Sequence, residues 1–200
     1  MLLKFNKDYD SGQYPSCSEQ YNEHQEVLNQ LYGIDRNAFA SLLTSIHLML
    51  MEPRCPISKL NIETRDFFTL KRGTFGFGEV IESFNAVVGN PPYTRWVEIP
   101  DDTKDLILEE LKGELSTYDL RADTRRGREP GIYVYWIMHS AKNLLEDGGR
   151  LGMIISNMWL QTDYGVDFGR FLLDNFKIKA LIDLSFRLFE ALISYCNHTG

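Results

Sequence analysis

The residues best placed to do chemistry are Asn90-Pro91-Pro92-Tyr93, which follow the apolar run FNAVVG. Two successive prolines cannot continue a central strand, and Pro91 keeps Asn90 extended. Neither proline has an N–H, so neighbouring carbonyls stay free of local turns and can accept from a ligand. The Asn90 side-chain oxygen beside a free backbone carbonyl makes a pair of acceptors matched to the two hydrogens of an amino group. Tyr93 adds a flat face on which a base can stack. Such a pair suits methylation of an exocyclic amine, whose lone pair is delocalised until both N–H bonds are held. No strongly basic side chain is needed, because acceptors stabilise the developing positive charge. On this view Tyr93 works through its ring, and Tyr93→Phe is expected to be nearly silent. The plain alternative is a Pro-Pro turn that ends a strand.

Two acids end earlier strand-like segments: Asp35 after LYGI and Asp66 after NIETR. In open α/β sheets, ligands bind beyond the carboxyl ends of the strands, so Asp35, Asp66 and Asn90 are expected to converge on one crevice. Asp35 occupies the place where such folds put an acid to accept from ribose hydroxyls. Capping the following helix is an equally good reading of it.

The elements that must position these groups alternate. Ser18 to Leu31 has helical character, LYGID reads as a buried strand, and Phe39, Leu42, Leu43, Ile46 and Leu50 recur at helical spacing. NIETRDFF reads as a strand ending at Asp66, followed by a Gly-rich hairpin-like stretch. FNAVVG reads as a fully buried strand. Val134, Ile137, Met138, Ala141, Leu144 and Leu145 form a helix stripe closed by Gly148-Gly149, ahead of the strand RLGMIIS. A helix around Phe168, Phe171 and Leu172 precedes a last strand, IKALIDL. The pattern predicts an α/β fold with a mainly parallel sheet and helices on both faces.

These segments, in this order, resemble the adenine-N6 DNA methyltransferases of restriction-modification systems, particularly the large modification enzymes with methylase and specificity regions on one polypeptide. The resemblance runs from about Tyr21 to Phe189, and NPPY is its most specific part. LYGIDRNAFA is similar to the family's second motif, RDFF to its third, FNAVVGNPPY to its fourth, and the segment from Tyr133 to Leu160 to its fifth to seventh. The resemblance implies a Rossmann-like domain that transfers methyl from S-adenosylmethionine to an adenine flipped out of DNA. It places Asp35 on the cofactor ribose, with Asp66 and Phe67 along the cofactor adenine or the approach to the methyl. Asn90 and Pro91 accept from the target amine. Tyr93 stacks on one face of the flipped base and Phe189 on the other, a core Phe being the alternative for Phe189.

The departures from the pattern shape the expected organisation. Nothing before Gly33 resembles the family's glycine-rich first motif, and nothing after Phe189 resembles a target-recognition region. Residues 1–30 are therefore read as a helical lead-in, 31–189 as an incomplete catalytic domain and 190–200 as a divergent tail. The missing segments would come from a further stretch of chain or a partner subunit. Without them the chain is expected to bind cofactor weakly, to be inactive alone and to be aggregation-prone along an unpaired sheet edge. Gly131-Ile132-Tyr133 also stands where relatives often carry Asp before Leu-Tyr. The competing readings are a non-catalytic remnant of a split gene, or an NPPY enzyme acting on protein glutamine or on guanine in RNA.

Composition agrees with one globular unit: 200 residues, 44% hydrophobic and 24% charged. No run approaches a membrane span and the polar start lacks a signal-peptide core, so a cytoplasmic protein without membrane contact is expected. Cys17, Cys55 and Cys196 suggest neither disulfides nor zinc, and no metal is expected. A net charge of -7 leaves little general affinity for phosphate. The one basic cluster, Arg121, Arg125, Arg126 and Arg128, reads as a solvated loop or, less directly, as a DNA-facing one.

Overall fold

The computed structural model of the chain describes residues 17–51, 57, 59–73 and 83–183. Phe189, Cys55, Cys196 and most of the Gly-rich stretch after Gly73 lie outside the described residues. Helix α1 (Cys17–Asn29) leads into strand β1 (Tyr32–Asp35) and helix α2 (Ala38–Leu50). Strand β2 (Asn61–Thr64) pairs parallel with β1, Asp35 standing opposite Thr64. Strand β3 (Phe84–Gly89) pairs parallel with β4 (Leu145–Met153). Between them lie helices α3 (Asp101–Glu110), α4 (Lys112–Thr117) and α5 (Ile132–His139), and α6 (Tyr164–Asn175) follows. The fold is α/β with parallel strand pairing, as expected.

Its sheet is not the continuous one that the pattern predicted. The strands form two separate two-stranded sheets, because among the described residues no strand hydrogen-bonds between β1 and β3. The rings of Tyr32 and Phe84, the first residues of those two strands, instead touch with centroids 5.3 Å apart. FNAVVG is not fully buried: Val88 is 73% exposed. The strand expected over IKALIDL does not form over its described part, where residues 178–183 find no partner strand and Ile178, Leu181 and Ile182 are exposed. The helix expected to run to Gly148 ends at His139, passes through a wider turn over Ser140–Leu144, and gives way to β4 at Leu145. Gly148, with φ +80°, lies inside that strand, where the register with β3 also shifts.

The core is built by helices rather than by a sheet sandwich. Helix α5 is apolar on all sides, and Ile132, Tyr133, Val134, Tyr135, Ile137 and Met138 are all buried. Around it pack Phe67, Phe68 and Leu70, then Ile107 of α3, Leu111, Leu115 of α4, and Phe168 and Phe171 of α6. The segment between Thr94 and Gly131 is therefore a packed part of the core. By contrast α2 leaves much of its helical stripe exposed, Phe39, Leu42 and Leu50 most of all, with Leu43 and Ile46 partly covered.

Candidate active site

Asp35, Asp66 and Asn90 each stand at or just beyond the carboxyl end of a parallel strand. β1 and β2 bring the two acids together: the Arg65 N–H donates to the Asp35 carbonyl at 3.0 Å, and Asp66 follows. No hydrogen bond or ion pair among the described residues joins Asn90 or Tyr93 to either acid.

Asp35 is exposed, and its Oδ1 accepts from the N–H of Asn37 at 2.7 Å. Asn37 is the residue that caps α2, its side chain accepting from Phe39 and Ala40. Asp35 thus braces the turn into α2 and keeps its second carboxylate oxygen facing solvent, fit to accept from a ribose hydroxyl. Asp66 is differently placed. Its Oδ1 accepts from the Phe68 N–H at 3.0 Å, and its Oδ2 accepts from the Thr103 hydroxyl at 2.9 Å with the Arg36 guanidinium 3.5 Å away. Arg36 also donates to Thr103 at 2.7 Å and pairs with Asp102 at 2.8 Å. Both Asp66 oxygens are occupied by the protein. Phe67 is buried face to face on Trp136, so its ring is not offered to a ligand in this conformation. Of the residues assigned to S-adenosylmethionine, Asp35 alone presents a free group of the right kind.

Asn90 follows β3, whose last carbonyl, at Gly89, accepts from the N–H of Ile154 at 3.0 Å. Pro91 is buried, and its carbonyl accepts none of the backbone hydrogen bonds among the described residues. Tyr93 is 45% exposed while its hydroxyl turns back to donate to Asn90 Oδ1 at 2.6 Å, with the Ile154 carbonyl 3.4 Å away. Burial raises the pKa of this hydroxyl above the usual tyrosine value. The site therefore sets the exposed Asn90 and Tyr93 beside a Pro91 carbonyl that is free of backbone partners but buried, so a ligand could reach that carbonyl only after the strand end opens. Three participants escaped the sequence reading: Arg36, Thr103 and Ile154. Arg36 adjoins a strand-end acid and Thr103 opens a helix behind two aspartates, both weak signals that need the fold to connect them.

The basic cluster is split. Arg128 is clamped between Asp119 and Asp167, and Arg126 pairs with Asp123, while Arg121 and Arg125 are exposed. Among the described residues no group of three or more His, Cys, Asp and Glu could hold a metal ion, and no helix is long and apolar enough to cross a membrane.

The profile of the Eco57I restriction-modification methylase family matches residues 29–189. The Type II methyltransferase M.BstVI of Geobacillus stearothermophilus is 39% identical over 101 residues, which cover 50% of this chain and 16% of that protein. M.PaeR7I of Pseudomonas aeruginosa is 31% identical over 115 residues, 58% of this chain and 18% of that protein. M.XhoI of Xanthomonas vasicola is 29% identical over 115 residues, 58% and 19% respectively. The matches thus span less than a fifth of the length of each of these relatives.

Proposed function

For a chain that belongs to the Eco57I restriction-modification methylase family, we propose the activity of a DNA methyltransferase core that transfers methyl from S-adenosylmethionine to the N6 amine of a flipped adenine. The observation that carries this reading is the pair of acceptors at the end of β3, Asn90 Oδ1 and the Pro91 carbonyl, beside the open ring of Tyr93. The catalytic unit is the Rossmann-like portion within residues 31–189, with residues 1–30 leading in and 190–200 as tail. It works in the cytoplasm, with the rest of the cofactor and DNA contacts made by further protein segments.

Asn90 Oδ1 and the Pro91 carbonyl each accept one N–H of the target amine, which draws the nitrogen lone pair out of conjugation and aims it at the methyl. Both acceptors are neutral, so they also stabilise the positive charge that grows on nitrogen. Tyr93 stacks on the flipped base, a contact worth roughly 1–3 kcal/mol. Phe189 is proposed as the opposite face of that stack. Asp35 holds the ribose hydroxyls, and Asp66 and Phe67 serve the cofactor adenine only after leaving their present partners. S-adenosylmethionine, when bound, supplies a methyl already activated by its sulfonium.

The test is tritiated methyl transfer to mixed-sequence duplex DNA, by the chain alone and by a chimaera in which residues 29–189 replace the matching part of M.BstVI. Transfer to adenine by the chimaera is expected, and Asn90→Ala should lower it on the order of a hundredfold while leaving calorimetric cofactor binding unchanged. Transfer undiminished in Asn90→Ala would remove the proposed role.

A further inference from the structure

A primary carboxamide has two faces: half a turn about its last bond exchanges an acceptor oxygen for a donor NH2 of almost the same shape. The target amine presents only N–H donors to Asn90, so only one of the two orientations can hold it. Something must choose. In the structure the Tyr93 hydroxyl donates to Asn90 Oδ1 at 2.6 Å, at the short end of the range for neutral O–H···O bonds. The Ile154 carbonyl is the hydroxyl's second acceptor at 3.4 Å. Ile154 is itself tied to the strand end that carries Asn90, because its N–H donates to the Gly89 carbonyl at 3.0 Å.

We propose that the Tyr93 hydroxyl is a positioning group that holds Asn90 in its acceptor orientation, its single hydrogen being directed to Asn90 Oδ1 at 2.6 Å and not to the competing Ile154 carbonyl at 3.4 Å. A carbonyl oxygen has two lone pairs, so one can keep the Tyr93 bond while the other accepts from the amine. Pro91 and Pro92 restrict the chain between Asn90 and Tyr93 through their fixed φ angles. The hydroxyl is engaged while Tyr93 as a whole stays 45% exposed, so one side chain can serve Asn90 at its tip and the base at its face. This inference rests on the proposed methyl transfer, and it gives the hydroxyl a task that stacking alone does not require.

Tyr93→Phe separates the two tasks, because it keeps the ring and removes only the donor. In the turnover-competent protein, kcat should fall by about tenfold while KM for DNA stays within about twofold, the pattern of an interaction that matters in the transition state. Unchanged kcat, or a loss confined to KM, overturns the positioning role. Transfer retained in Asn90→Ala would instead remove the underlying reading. A second measurement needs no turnover. In the chain itself, the Asn90 side-chain amide resonances, identified by their disappearance in Asn90→Ala, should shift in Tyr93→Phe. In addition, Asn90→Ala should lower the ionisation midpoint of Tyr93 followed at its labelled ring carbon. Asn90 resonances unmoved by Tyr93→Phe overturn the proposal.

Discussion

The ring of Phe67 lies face to face on the indole of Trp136, with centroids 3.7 Å apart and planes 2° from parallel. Phe67 also meets Phe68 edge-on, so the aromatic next to Asp66 is a core residue first. Phe67→Ala should destabilise the chain by about 3 kcal/mol, the range for emptying a buried aromatic site. The companion signal is a red-shifted Trp136 emission as its indole loses cover. Denaturant melts with fluorescence detection read both, and an unchanged midpoint would show that the stack contributes nothing.

The two strand-end acids should separate in their effects. Asp66 accepts from the Phe68 N–H and the Thr103 hydroxyl, and Asp66→Ala leaves both donors without that partner while Arg36 keeps Asp102 and Thr103, so a loss of about 1–2 kcal/mol is expected. Asp35→Ala removes one exposed bond to Asn37 and should move stability by less, on the order of 0.5 kcal/mol. Its expected effect is on cofactor affinity, measured by calorimetry. Equal losses of stability in the two variants would count against this division.

His139 is wholly buried on α5 against Phe67 and Phe68, and its Nε2 has no hydrogen-bond partner among the described residues. Burial pushes its pKa down to about 4, against the opposing pull of the Glu110 carboxylate and the Leu70 carbonyl. In the unfolded chain the imidazole titrates near its ordinary value of roughly 6.5. Between those two values the unfolded state binds a proton that the folded state refuses. Stability is therefore full above about pH 6.5 and falls as the pH drops toward 4, by roughly 2 kcal/mol between pH 7 and pH 5. Urea melts across that window should show the slope in the wild type and not in His139→Leu. A wild type flat from pH 7 to 5 would mean that His139 takes up its proton as readily in the folded chain as in the unfolded one.

The parts of this molecule that were legible in the sequence are those whose signal is local. Helices α1, α2 and α6 and strand β1 fall where apolar spacing and polar ends put them, while β2 stops at Thr64, two residues short of the expected end at Asp66. What failed was burial and pairing, which depend on neighbours. FNAVVG is apolar on both faces, yet Val88 is exposed because nothing described lies over it. Around Leu144-Leu145 the apolar spacing fits a helix or a strand equally, and Gly148-Gly149 looked like a helix stop. Gly149 instead packs a strand, where a Cβ would meet the Glu146 carbonyl at 2.9 Å. In the candidate site, NPPY announced its two acceptors, but no spacing rule foretold that Arg36 and Thr103 would occupy Asp66.

Helix α2 carries the clearest liability. Phe39 is 70%, Leu42 57% and Leu50 61% exposed along its apolar stripe. The chain should self-associate through this face and bind hydrophobic dyes. Leu42→Glu with Ile46→Lys should reduce light scattering and dye binding while changing stability within about 0.5 kcal/mol, as exposed substitutions do. A monodisperse wild type that binds no dye would refute this.

The basic loop offers the sharpest distinction between a structural and a DNA-facing cation. The Arg128 side chain is only 18% exposed and bridges Asp119, which sits at φ +50°, to Asp167 at the start of α6. Desolvation would weaken the charge, but the two carboxylates more than compensate, and Arg128 stays cationic. It is thus neutralised before any phosphate arrives. Removing one member of a buried pair costs about 3–5 kcal/mol, and the exposure of Asp119 reduces that here to about 1–3 kcal/mol. Arg121 and Arg125 face solvent and retain their charge for a ligand. Arg128→Ala should therefore lower the denaturation midpoint without altering the salt dependence of DNA retention. The double variant Arg121→Ala with Arg125→Ala should leave the midpoint in place and reduce the slope of log affinity against log salt by about 1–2, roughly one unit for each phosphate no longer neutralised. Electrophoretic mobility shifts at several salt concentrations, paired with denaturant melts, measure both. A reduced salt slope in Arg128→Ala would place that residue on the DNA and break the structural assignment.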